Sequence, residues 1–106
     1  MIGNIQFLFP DEDSLSVQRR EFVSQYITVV KDMKYVFGWD QPLMSYYLQV
    51  HDLTLSGDEQ IVAWLGATAD TRMYEVEDLV RTAKKYGLDI LYKTQVKLFQ
   101  DKDDGI

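Results

Sequence analysis

The chain has no cysteine, a single histidine and two prolines among its 106 residues, and its basic residues are outnumbered by seventeen acidic ones to eleven. Each shortage removes a class of chemistry. Without cysteine there can be no disulfide, thiolate zinc site, iron–sulfur cluster or cysteine nucleophile, and the composition suits a reducing, cytoplasmic setting. With His51 as the only imidazole, a multi-histidine metal site is excluded, and no metal or other cofactor is expected. No apolar run approaches the roughly 20 residues that span a bilayer. The opening Met1-Ile2-Gly3-Asn4-Ile5 lacks the basic region and apolar stretch of a secretory leader, so no membrane association is expected. The formal charge of −6 repels phosphate backbones, which argues against direct binding to nucleic acid.

What is present is a change of hydrophobic period along the chain. Ile2 to Phe9 alternates as a strand, with Ile5, Phe7 and Phe9 on one side and Ile2 and Leu8 on the other. From Leu15 to Phe37, Phe22, Val23, Tyr26, Val29, Val30, Met33, Val36 and Phe37 recur at spacings of three and four, which predicts a helix closed by Gly38. The β-branched run Ile27-Thr28-Val29-Val30 opposes that assignment locally. Met44, Tyr46, Leu48 and Val50 then alternate as a strand whose parity jumps at Leu53, placing a bulge near His51 and Asp52. Ile61 to Leu65 is apolar throughout and reads as a central strand.

A second helix follows over Met73, Val76, Leu79, Val80, Ala83 and Tyr86, acidic early and basic late, as the helix dipole favours. Ile90, Tyr92, Thr94, Val96 and Leu98 alternate as a last strand, and residues 101–106 form a charged, frayed tail. The expected order is therefore β-α-β-β-α-β. That is a ferredoxin-like α+β domain over residues 1–100, with a four-stranded antiparallel sheet in the order 4-1-3-2 and two helices on one face. This order and length resemble those of dimeric α+β-barrel monooxygenases, which would imply pairing through the sheets.

Such an architecture hosts many functions, so function must be read from a site. Asp11, Glu12 and Asp13 follow the first strand, where they read as a solvated loop and helix-dipole partners rather than as metal ligands. The acidic Pro10-Asp11-Glu12-Asp13 loop also lacks the arginine and phosphate cradle of an acylphosphatase-like site. His51 lacks an evident orienting partner, so no catalytic residue is assigned. Tyr46, Tyr47, His51 and Trp64 lie on predicted strands with few charges around them, the chemistry of a pocket or interface.

The expected function is that of a small, acidic, non-enzymatic interaction module. Its partner would be a basic, nucleic-acid-binding protein, met as an inhibitor or nucleic-acid mimic of the kind used in phage or mobile-element counter-defence. The contacts would be Asp11, Glu12, Asp13, Asp58, Glu59, Glu75, Glu77 and Asp78. One competing expectation is a homodimeric ligand-binding or enzymatic domain paired through its sheet, with a pocket between sheet and helices lined by His51 and Trp64. The other is an accessory structural subunit of a larger assembly.

Overall fold

Residues 16–20 and 23–105 are described by the structure, a computed structural model. Five strands come first, β1 (Ser16–Arg20), β2 (Val23–Val30), β3 (Met33–Asp40), β4 (Ser45–Asp52) and β5 (Ile61–Leu65), and two helices follow, α1 (Val76–Lys85) and α2 (Tyr92–Asp104). The strands pair in chain order, each antiparallel to the next. The chain is thus an α+β domain in which an antiparallel meander is backed by two helices. The ferredoxin-like β-α-β-β-α-β order is not what forms among these residues, and the expected strand at Ile2–Phe9 lies outside them.

The predicted helix over Leu15–Phe37 is replaced by β1, β2 and most of β3. Its apolar spacing also satisfies strand alternation once a turn is inserted. Tyr26 is then on the inner face of β2, and Tyr35, Phe37 and Trp39 are on the inner face of β3. The turn is the two-residue connection Lys31-Asp32, with Lys31 at a left-handed φ of 55°. Hairpin turns of this length usually announce themselves through Asn-Gly or Asp-Gly, and this one does not. The β-branched run of β2 therefore governs the local structure.

Gly38 is part of β3 rather than a helix stop. A Cβ there would meet the Ser24 carbonyl oxygen at 2.1 Å, so the close approach of β2 to β3 requires glycine. At the same place the Ser24 Oγ accepts a hydrogen bond from the Trp39 backbone N–H at 3.0 Å, standing in for a ladder bond. The register of β4 on β5 shifts between Val50 and His51, where the sequence parity jumps.

The inner face of the sheet carries Tyr26, Tyr35, Phe37, Trp39, Tyr46, Leu48 and Val50, and it is covered by Val76, Leu79 and Ala83 of α1 and Leu98 of α2. Two aromatic contacts order this layer, Tyr26 stacked on Phe37 at 5.6 Å and Trp39 edge-on to Tyr46 at 4.8 Å between ring centroids. The predicted last strand over Ile90–Leu98 and the predicted tail are both replaced by α2. This helix turns Thr94, Leu98 and Asp101 inward, at helical rather than alternate spacing. Asp101 is 1% exposed and accepts a hydrogen bond from the Tyr26 hydroxyl at 2.6 Å. The Tyr46 hydroxyl donates to the Leu98 carbonyl at 2.8 Å, so two tyrosines of the sheet hold the helix.

Replacing Tyr26 with phenylalanine keeps the ring and removes one donor from a buried carboxylate, which should lower stability by about 1.5–3 kcal/mol in urea unfolding. An unchanged midpoint would mean that the Tyr26–Asp101 bond does not hold α2 to the sheet.

Candidate functional site

The segment before α1 is anchored to the start of β4. Tyr46 N–H donates to the Met73 carbonyl at 2.7 Å, and Met73 N–H donates to the Ser45 Oγ at 2.9 Å. This fixes the N-terminus of α1 at one end of the sheet. Glu75 is its N-cap, and the Glu75 N–H donates back to the Asp78 carboxylate at 3.3 Å in a capping box. Glu77 and Asp78 occupy the first turn, where the helix dipole welcomes them.

The C-terminal turn of α2 lies beside this acidic start. Lys102 Nζ donates to the Tyr74 carbonyl at 2.7 Å and approaches the Glu75 carboxylate at 3.5 Å. The same ammonium sits 3.5 Å from the Tyr74 ring centroid and 5.8 Å from that of Trp39, a cation–π position that holds it inward. Asp103 and Asp104 are in the last turn of α2 and exposed, and among the described residues neither meets a cationic partner. They stand where the helix dipole disfavours negative charge. Glu75, Glu77, Asp78, Asp103 and Asp104 thus gather from two stretches of chain at one end of the helical layer, around a lysine already engaged. The buried Tyr46 phenol lies within this field. Its pKa is raised, chiefly by burial and then by the charges of Asp101, Glu75 and Glu77.

The other expected contacts are placed elsewhere. Asp58 and Glu59 lie on the 3₁₀ turn Gly57–Gln60 that leads into β5, at the far end of β4 from Glu75. β4 is eight residues long, so the two acidic groups are separated by roughly 25 Å at strand rise. They form two separate surfaces. Asp11, Glu12 and Asp13 lie outside the described residues. The contributions of Asp103 and Asp104 were hidden by the reading of residues 101–106 as a tail; Gly105, which ends α2 at φ 75°, was the available signal that a helix precedes it.

The aromatic candidates divide between two faces of the sheet. Tyr46 is a core residue with no exposed surface, which removes it from any interface. Tyr47 and Trp64 share the face opposite the helices. There an open groove of about 560 Å³ is lined by Gln25, Val36, Asp40, Leu43, Tyr47, Gln49 and Trp64. Tyr47 is the cross-strand neighbour of Gly38, and its hydroxyl donates to the Ser24 carbonyl at 2.7 Å. Burial, and after it Asp40 and Asp101, push its pKa up. Trp64 is 56% exposed at the rim, opposite Gln49. His51 and Trp64, expected to line a pocket between sheet and helices, lie on the opposite face, while a groove along α1 is lined by Leu65, Met73, Asp78, Arg81 and Lys85.

His51 belongs to the same open face, its ring Nε2 3.1 Å from the Gln49 side-chain oxygen and Lys34 across the strand pair. Its pKa is lowered by burial first and then by the Lys34 charge, against an opposing hydrogen bond with Gln60. Among the described residues no group of histidine and acidic side chains is arranged to hold a metal ion, and no helix is long and apolar enough to cross a membrane. Comparison with family models, curated proteins and solved structures returned no match for this chain.

The lowered His51 pKa gives a signed pH dependence. Just below pH 6.5 the unfolded chain binds a proton that the folded chain does not, so stability rises with pH in that window and its His51 part is fully present above it. NMR titration of this single imidazole should give a midpoint below 6.5. His51→Gln should flatten the corresponding part of the stability profile.

Proposed function

We propose that this protein is a non-enzymatic interaction module that docks its acidic end on a basic, nucleic-acid-binding protein and acts as an inhibitor or nucleic-acid mimic. The observation that carries this reading is the charge order of α2. α1 has acids first and bases last, as the dipole favours, whereas α2 has Lys93 and Lys97 ahead of Asp103 and Asp104, which share its last turn with the inward-held Lys102. With the α2 C-terminus beside the α1 N-terminus, that reversal places acid next to acid. Lysine or arginine at positions 103 and 104 would suit the helix dipole better. The arrangement weakens the helix and concentrates negative potential at one accessible end, which steers a positively charged partner.

Stability and binding should therefore respond in opposite directions. Asp103→Lys with Asp104→Lys should stabilise the fold by about 0.3–1 kcal/mol for each residue, by relieving the dipole conflict. The same double variant should lose the partner that wild-type protein recovers from a lysate of its source or host. That partner should be a nucleic-acid-binding protein released by high salt. Recovery that survives both the double variant and high salt would overturn the reading.

A further inference from the structure

Beside the acidic end, a pocket of about 230 Å³ opens between the turn after β3, the segment before α1 and the second half of α2. Trp39, with no exposed surface, is its floor, and Met44, Tyr74 and Phe99 are its exposed walls, Phe99 at 58%. Large apolar side chains left open around one small site are the chemistry of an interface anchor. The polar groups of the floor are already satisfied. Trp39 Nε1–H donates to Gln41 Oε1 at 2.7 Å, and Gln41 Nε2 donates to Met44 Sδ at 3.4 Å. What the walls offer an occupant is therefore ring surface and a thioether.

The charges around the pocket decide which occupant fits. Lys102 Nζ, 3.5 Å from the Tyr74 ring centroid, shows that these rings accept a cation, and that ammonium is engaged inward by the Tyr74 carbonyl and Glu75. Asp103 also lines the pocket, is exposed, and among the described residues has neither a hydrogen bond nor an ion pair. It follows Phe99 by four residues, so ring and carboxylate stand one turn apart on the same face of α2. A planar cation lying against Phe99 has Asp103 within reach of its edge. Guanidinium fits that arrangement, because it is weakly hydrated, stacks on rings and pairs with a carboxylate through parallel N–H bonds. An ammonium is a compact, strongly hydrated point charge and uses the ring less well.

We infer that this pocket receives an arginine side chain of a basic protein partner, with the guanidinium on the Phe99 ring and the Asp103 carboxylate and the methylenes against Met44 and Trp39. The inference rests on the reading of the acidic end as a docking surface, and it names the side chain which that surface holds. The arginine supplies Asp103 with the cation that Lys102, turned inward, does not. The pocket has room for a single side chain, so it anchors the partner while the surrounding carboxylates steer it.

NMR titration of the full chain with the blocked peptide acetyl-Gly-Arg-Gly-amide tests this, read at the Trp39 indole N–H, the Met44 methyl and the Phe99 ring. The arginine peptide should shift these signals saturably. Its lysine counterpart, and its citrulline counterpart that keeps the shape without the charge, should each bind about fivefold more weakly or worse. Phe99→Ala and Asp103→Asn, with unchanged circular dichroism spectra, should each weaken the arginine peptide by about fivefold or more. Equal binding of the three peptides, an absence of shifts at these groups, or arginine binding undiminished in both variants would overturn the inference. The docking reading can fail separately. Partner capture undiminished in Phe99→Ala but lost in the Asp103 and Asp104 double variant would overturn the arginine pocket and leave that reading standing. Peptide binding without any salt-sensitive capture would overturn the reading and leave the pocket standing.

Discussion

The fold depends on how α2 is held. Its inward stripe includes Thr94 and Asp101, and its N-cap Leu91 offers no capping side chain, so neither propensity nor apolar burial suffices to form it. The bond from the Tyr26 hydroxyl to Asp101 supplies what burial does not, and it joins residues 75 positions apart. A carboxylate this buried requires donors. The position of Tyr26 in the sheet and the docking of the helix are therefore coupled. Tyr46, through the Leu98 carbonyl, fixes the helix one turn earlier. Sheet and C-terminal helix are thus interdependent, and Thr94, Leu98 and Asp101 belong to the interior although they come late in the chain.

That docking also determines the electrostatics. Because the connection between the helices is short, from Tyr86 to Leu91, α2 runs back beside α1 and brings its C-terminal turn to Glu75. Lys102 is drawn inward by Tyr74, Trp39 and the Tyr74 carbonyl, and its ammonium is not presented to solvent beside Asp103 and Asp104. Cation–π capture thereby turns this ammonium toward Glu75 and the Tyr74 carbonyl rather than toward Asp103 and Asp104, while Asp78 is paired with Arg81 at 2.7 Å. The acidic end is a product of helix polarity, helix direction and one sequestered lysine acting together.

The sequence made the second half of the sheet and α1 legible. β4 has a clean alternation and α1 an apolar stripe with charges arranged for its dipole; β5 forms where its apolar run lies, but that run was expected at the sheet centre and instead makes an edge with Ile61, Val62 and Trp64 exposed. The parity jump at His51 became a register shift. The first hairpin was hidden because Lys31-Asp32 carries no glycine or asparagine, and spacings of three and four in Phe22 to Phe37 fit a helix as well as two strands. α2 was hidden for the opposite reason. Its exposed residues Tyr92, Val96 and Phe99 are apolar and its buried Asp101 is polar, so hydrophobicity pointed away from the true inner face. Of the expected contact residues, Glu75, Glu77 and Asp78 lie together at the start of α1. Their companions Asp103 and Asp104 needed the helix to be known first.

The proposed docking surface is the acidic end formed by the start of α1 and the last turn of α2. Amide hydrogen exchange on the complex with the captured protein tests it most directly. New protection should be confined to residues 74–79 and 101–105. Protection that left those residues unchanged and fell instead on the groove around Tyr47 and Trp64 would contradict an acidic docking end.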